Sequence, residues 1–338
     1  MPKSFIIKAG PTARQQIMKK GLSPDDITVI PAAAGGPKWI ALYALDKYLM
    51  THWFADRTEP LHLIGASAGA WRMLCYAMEQ PLEAFDRFLK AYVEQTYEHY
   101  PTPQEVSDEV IHIVKQILGT EKSHLYKESL YKLYVIGSCT KNLTKKVDNY
   151  KKHLLKIALK NAISRKTMAS EMSRVLFTNS SDEGFIRPDH FETQYIRFDE
   201  RNIIKGLQST GTIPILMEPV VGIDTVDGLL WDGALVDYHI GLEYNTDGLI
   251  FYPHFSDKLI QGWFDKYIPW RKLPSSITDR MIMISPSSAF VKSLPDSKIP
   301  DREDFKTYFK DNPRRIRQWY EAAERGKEIA DELSLIHI

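Results

Sequence analysis

Cysteine is scarce in this chain of 338 residues: Cys75 and Cys139 are the only two. Two thiols cannot build the disulfide framework of a small secreted scaffold, nor a four-thiolate zinc site. Long apolar runs are missing as well. No window approaches the roughly 18 apolar residues that a membrane span requires, and the first apolar run, Phe5 to Ile7, is too short for the core of a secretory signal. Net charge is nearly absent: 44 Lys and Arg stand against 43 Asp and Glu, so no global field draws in nucleic acid, and no nucleic-acid partner is expected. Repeats, low-complexity tracts and linker-like stretches are also lacking. What remains, 43% apolar and 26% charged residues, is the composition of a soluble globular protein of the reducing cytoplasm.

The pattern along the chain reads as one domain over residues 1–333, with helical insertions at about 80–130 and 141–172. Ile27 to Ile30 is a β-branched run that ends in a small-residue turn, Pro31 to Gly36. Pro37 then sits where a first helical turn tolerates proline, and Leu42, Leu45 and Leu49 follow at helical spacing. The same order recurs at once. Leu61 to Ile64 reads as a buried strand, Gly65 to Gly69 as a turn, and Ala70 to Met78 as a helix whose one charge is Arg72. A helix apolar nearly all round belongs in an interior. Strand and helix units in this order predict an α/β fold, a three-layer α/β/α sandwich around a mainly parallel sheet.

Further on, Leu82 to Lys132 reads as helical throughout, with a capping-box start at Thr102, Pro103 and Glu105. Strand signals return at Leu133 to Ile136, Val175 to Thr178, Gly248 to Tyr252 and Met281 to Ile284. A charged helix, Pro313 to Leu333, follows, and its Arg314, Arg315 and Arg317 read as helix surface. Ser334 to Ile338 is apolar and uncapped, and reads as a non-native or disordered tail.

Gly65-Ala66-Ser67-Ala68-Gly69 fits G-x-S-x-G, in which small residues let a strand turn sharply into a helix and lift a serine hydroxyl clear of the sheet. Ser67 is the candidate nucleophile; the alternative is a plain β-α turn with glycine packing. The helix N-terminus beneath it favours negative charge on the oxygen. Gly35 and Gly36 could present backbone N–H groups to an oxyanion, with Lys38 adding charge nearby. A phosphate-binding loop or plain turn is the rival reading there, although the spacing is not that of a P-loop. A nucleophile needs a base. Asp232, in Trp231-Asp232-Gly233-Ala234, sits where a strand ends and Gly233 permits a turn; five residues upstream, Asp227-Gly228 reads as the hairpin turn that delivers it.

Taken in order, Gly35-Gly36-x-Lys38, Gly65-x-Ser67-x-Gly69 and Asp232-Gly233-Ala234 resemble the patatin-like phospholipase family, over roughly Ile27 to Asp237. The segment Ser209 to Pro219, with Pro214 and Pro219, matches a further family pattern. The resemblance implies a serine lipid acyl hydrolase with a Ser67–Asp232 dyad, an oxyanion hole from Gly35, Gly36 and the Ala68 N–H, and no metal or cofactor. Its substrate would be a phospholipid, lysophospholipid, acylglycerol or small ester. Two positions depart from the family: Lys38 replaces an arginine, keeping the charge but not the planar fork, and Asp237-Tyr238 stands where Asn-Pro is usual.

Two other readings compete. An ordinary α/β-hydrolase would add a histidine, for which chain order leaves His239 and His254. A catalytically inactive relative would bind lipid or a partner protein without turnover. Separately, Lys141 to Lys166 carries nine Lys or Arg and one acidic residue, interleaved with Leu154, Leu155, Ile157, Leu159 and Ile163. Such a stretch is either a solvated helix or a peripheral contact with an anionic membrane.

Overall fold

In a computed structural model, which describes residues 3–141, 143 and 150–335, the strands join in one nine-stranded sheet. The chain opens with β1 (Phe5–Ala9), α1 (Pro11–Lys20) and β2 (Ile27–Ala32), then a 3₁₀ segment Gly36–Leu42 that leads into α2 (Tyr43–Tyr48). Next come β3 (Leu61–Ala66), α3 (Ala68–Ala77), α4 (Pro81–Glu94), α5 (Pro103–Leu118) and the long β4 (Tyr131–Thr140). After α6 (Tyr150–Ile163) and α7 (Arg165–Met168), the sheet resumes with β5 (Met172–Thr178) and β6 (Thr193–Arg197). Helix α8 (Ile203–Ser209) precedes the short β7 (Leu230–Asp232), and β8 (Leu249–Pro253) and β9 (Met281–Pro286) complete the strands.

The order across the sheet is β1-β9-β8-β2-β3-β4-β5-β6, with β7 set against β4. Neighbours from β9 to β4 are parallel, as are β5 and β6, whereas β1–β9, β4–β5 and β4–β7 are antiparallel. This is the expected α/β sandwich: a mostly parallel sheet flanked by helices. Strands β2 and β3 are buried along nearly their whole length, which is why their sequences are apolar runs rather than alternations.

Every residue of α3 is buried, including Arg72. Its guanidinium is met by Asp46 of α2, with Nε and Nη2 at 2.8 and 2.7 Å from the two carboxylate oxygens, and Tyr76 adds its hydroxyl at 3.0 Å. Removing Asp46 would strand a buried cation, at a cost of about 3–5 kcal/mol.

Several sequence expectations need correction. Residues 82–132 are not helical throughout: α4 stops at Glu94, α5 starts at Pro103 behind its Thr102–Glu105 capping box, and Tyr131 already belongs to β4. Pro101 and Pro103 disfavour an unbroken helix there. The closing helix is two, Asn312–Arg325 and Lys327–Ser334, meeting at Gly326, where a Cβ would lie 3.0 Å from the Ala41 carbonyl oxygen. Ser334 therefore ends a helix, and residues 336–338 of the expected tail lie outside the described residues. Arg315 is interior, donating to the carbonyls of Val93 and Gln95 at 3.0 and 2.5 Å. Among the described residues no helix is long and apolar enough to cross a membrane.

Candidate active site

One strand sets the site. β3 pairs with the first part of β4, ending with Ala66 opposite Ile136; β7 pairs with the continuation of β4, with Asp232 opposite Gly137. β3 and β7 thus take consecutive stretches of β4. Ser67, one residue past the end of β3, is brought to the last residue of β7 although 165 positions separate them in sequence. The Ser67 hydroxyl donates to Asp232 Oδ2 at 2.9 Å, and both residues are buried.

Ser67 has φ +56° and ψ −138°, a left-handed conformation that a non-glycine residue adopts at a cost of about 1–3 kcal/mol. The turn is tight enough to forbid side chains on both flanks. A Cβ on Gly65 would lie 2.6 Å from the Ala70 nitrogen, and one on Gly69 would lie 2.3 and 2.5 Å from the carbonyl oxygens of Ala32 and Ala33. Those two glycines let α3 start against β2 and β3. Gly233 is equally constrained: a Cβ there would lie 2.2 Å from the Ile136 oxygen.

A residue that sequence reasoning passed over ties the parts together. Thr210, fully buried after α8, accepts from the Ser67 N–H at 2.8 Å and donates its hydroxyl to the Ile136 carbonyl at 2.5 Å. Its own carbonyl accepts from the Gly233 N–H at 3.2 Å, and the Thr212 carbonyl accepts from the Asp232 N–H at 2.7 Å. The Ser209 to Pro219 segment therefore bolts the nucleophile turn to the acid turn. A lone threonine carries no local signal of this role. The hairpin leading to Asp232 also differs from expectation, because it turns at Ile223–Val226 while Gly228 packs against the Thr140 carbonyl.

Asp232 Oδ1 accepts from the Ala234 N–H at 2.8 Å, which fixes the carboxylate while leaving Oδ2 to Ser67. Burial raises its pKa above the usual carboxylate value, against the opposing pull of Arg302 and of the Ala234 and Ser67 donors. Raised basicity is what a carboxylate needs to take a serine proton.

Gly35 and Gly36 lie across from this pair, where β2 gives way to the 3₁₀ segment, and Gly35 lines the same pocket as Asp232. Gly36 has φ +55°. Among the described residues neither glycine amide donates to a protein group, and the Ala68 N–H opens α3 where the helix has no internal acceptor. The three amides are available to an oxyanion. Ala34, one residue earlier, donates to the Tyr238 carbonyl at 2.9 Å, fixing the loop.

The pocket has a volume of about 650 Å³ and combines apolar walls, among them Leu154, Ile213, Pro214, Leu235 and Phe264, with Lys38, Lys266 and Arg302. Lys266 and Arg302 were not foreseen. Burial, with Arg302 and Lys38 adding to it, pushes the Lys266 ammonium down to about 8. Lys38 is lowered by burial and by Arg302 and Lys298.

The histidines are elsewhere in the hydrogen-bond network. His239 Nδ1 accepts from the Ile260 N–H at 3.1 Å and His254 Nδ1 from the Ser256 N–H at 2.9 Å; neither ring bonds to Ser67 or Asp232. Burial lowers both pKa values, that of His254 to about 3. The triad reading thus has no geometric counterpart. Asp237 is fully buried and held by Arg174, at 2.6 and 3.1 Å, which anchors the chain beyond the acid turn.

The basic stretch is less cationic on its surface than its sequence suggests. Lys156 and Lys160 both pair with Glu171, Lys141 pairs with Glu192, and Arg165 is buried between Asp237 and Asp265. Residues 142 and 144–149 lie outside the described residues. What α6 turns outward is an apolar ridge, Leu155, Leu159 and Ile163, at 61, 61 and 75% exposure. Leu155 also lines the pocket over Asp232, as do Ile215 and Tyr267, which are likewise exposed.

Among the described residues, no group of three or more His, Cys, Asp or Glu side chains is arranged to hold a metal ion. No family model and no curated protein matches this chain. Among solved structures it is similar to the crystal structure of VipD from Legionella pneumophila, at 13% identity over 91% of this chain and 67% of that one, with a TM-score of 0.35. A likeness that low carries no functional argument, which leaves the Ser67–Asp232 geometry as the ground for one.

Proposed function

We propose that this chain is a patatin-like serine hydrolase that cleaves carboxylic ester bonds of lipids through Ser67 and Asp232. The observation that carries the reading is the 2.9 Å hydrogen bond from the hydroxyl of a strained turn serine to a buried carboxylate of raised basicity. As Ser67 Oγ attacks the ester carbonyl carbon, its proton passes to Asp232 Oδ2. The carbonyl oxygen, now anionic, takes hydrogen bonds from the amides of Gly35, Gly36 and Ala68. Collapse of the tetrahedral intermediate expels the alcohol, which takes the proton from Asp232 and leaves an acyl group on Ser67. Water, deprotonated by Asp232, then releases the fatty acid. The apolar wall of Leu154, Ile213, Leu235 and Phe264 suits an acyl chain.

Hydrolysis of p-nitrophenyl acyl esters, with Ser67→Ala and Asp232→Asn as controls, tests the reading. Each variant should lose at least about 10³-fold in kcat. An active-site-directed organophosphonate should label Ser67 in the native protein. Full activity in either variant overturns the proposal.

We also infer a cytoplasmic protein that touches lipid surfaces peripherally, through the outward ridge of α6 rather than through its cations. The ridge is continuous with the pocket mouth at Leu155, so an acyl chain leaving a lipid layer would meet apolar surface all the way. Sedimentation with vesicles of neutral phospholipid checks this: Leu155→Asp with Leu159→Asp should abolish binding, and 0.5 M salt should not.

A further inference from the structure

Lys38, Lys266 and Arg302 converge on the pocket from three separate stretches of chain. Lys38 belongs to the glycine-loop segment, Lys266 to the turn Trp263–Tyr267, and Arg302 to the loop after Pro295–Ser297. Arg302 folds down onto the loop that offers the oxyanion amides: a Cβ on Gly36 would lie 2.9 Å from its Nε.

Acidic partners exist nearby but are committed elsewhere. Asp301 pairs with Lys298 at 3.0 Å and Glu303 with Lys306 at 3.2 Å, while Asp232 receives Ser67 and Ala234. Among the described residues, no carboxylate reaches ion-pair distance of Lys38, Lys266 or Arg302. The two ammonium groups rest on ring faces instead: Lys266 Nζ lies 3.9 Å from the Tyr238 centroid and Lys38 Nζ lies 5.2 Å from that of Phe255. Three like charges drawn together without counter-charges destabilise one another, and Lys266 is correspondingly pushed down to about 8, with burial as the main cause and Arg302 and Lys38 adding to it. Such a cluster is prepared for an anion that arrives with the substrate.

We propose that Lys266, Arg302 and Lys38 form a phosphate-binding subsite, so that the ester this protein cleaves carries a phosphate group close to the scissile carbonyl. The inference rests on the hydrolase reading above and names its substrate class. Charge decides for phosphate over a neutral head group. Three cations beside one ionised carboxylate leave a local excess of two positive charges, which matches a phosphomonoester carrying −1.5 to −2 at neutral pH. A neutral acylglycerol would leave all three cations without a counter-ion.

The test compares kcat/KM for two water-soluble esters with one short acyl chain, an acylglycerol and its phosphate-bearing counterpart. The native protein should prefer the phosphate ester, and Arg302→Gln or Lys266→Gln should each lower that preference ratio about tenfold. Lys266→Arg, which keeps the charge, should preserve it. Inorganic phosphate should inhibit competitively, and less so in the two glutamine variants. Equal kcat/KM for the two esters, or a preference ratio that survives both glutamine variants, overturns the proposal. Inhibition by phosphate without any preference between esters also overturns it, because the subsite would then hold free phosphate rather than substrate. If neither ester is cleaved and the organophosphonate fails to label Ser67, the hydrolase reading has failed instead. The anion subsite is then read separately, as a rise in Tm on adding phosphate that Arg302→Gln abolishes.

Discussion

Replacing Thr210 by valine isolates the bolt that holds the nucleophile turn. The two side chains have nearly the same shape, so what changes is the hydroxyl, which accepts from the Ser67 N–H at 2.8 Å and donates to the Ile136 carbonyl at 2.5 Å. All three residues are buried, and water does not replace the lost partners. A buried amide left without an acceptor costs about 1–3 kcal/mol, and a carbonyl that loses its donor roughly 1 kcal/mol, so Thr210→Val should destabilise the fold by about 2–4 kcal/mol. Against a total stability of about 5–15 kcal/mol this is a visible shift in denaturant midpoint with an unchanged slope. The kinetic consequence is separate. Ser67 keeps its positive φ partly because Thr210 holds its amide, so the turn should relax and kcat should fall at least tenfold. Thr210→Ser retains the hydroxyl and should recover most of both losses, at roughly 1 kcal/mol for the missing methyl. Denaturant unfolding and p-nitrophenyl ester kinetics on the three proteins decide the matter. Native-like stability and kcat in Thr210→Val would refute the reasoning.

Other outcomes follow from the same geometry. Asp232→Asn should be inactive yet no less stable than the native protein at pH 7: burial raises the folded pKa of Asp232, so its contribution is fully present below the ordinary carboxyl pKa of about 3.9 and is lost as pH rises through the raised folded value. Midpoints measured at pH 5 and 7 check this, and a large loss at pH 7 contradicts it. The acid limb of kcat/KM should lie above the ordinary carboxyl range, and Arg302→Gln should move it further up, because Arg302 favours the ionised form; a downward shift would count against the electrostatic account. Gly69→Ala should cost roughly 3 kcal/mol or more, since the new methyl meets two carbonyl oxygens that belong to the backbone. Circular dichroism on heating reads that loss.

Much of the central sheet was legible because its signals are local. Ile27–Ala32 and Leu61–Ala66 are buried on both faces and so read as apolar runs, and the glycines around Ser67 are dictated by contacts within a few residues or with the adjacent strand. The edge strands were not legible. β6 is half-buried along its length, so Thr193–Arg197 carries no apolar run to read, and β1 buries only Phe5. At the site, Ser67, Asp232 and the two loop glycines could be named from motifs, but Thr210, Lys266 and Arg302 could not, because nothing near them in sequence marks their roles. Lys141 to Lys166 misled for the same reason. Glu171, which takes two of its lysines, lies outside the stretch, and periodicity alone does not tell an exposed apolar ridge from a buried one.

That β4 serves β3 and β7 at successive positions makes the chain unequally tolerant of length changes. A single residue inserted between Ile136 and Gly137 would displace β7 by one position relative to β3 and turn Asp232 to the opposite face of the sheet, separating it from Ser67 with every catalytic side chain still present. The same residue inserted in the turn at Asp224-Thr225, ahead of β7, would be absorbed by the loop. For anyone splicing, permuting or splitting this protein, the forbidden seam is therefore a peptide bond in a strand that contributes no catalytic group of its own.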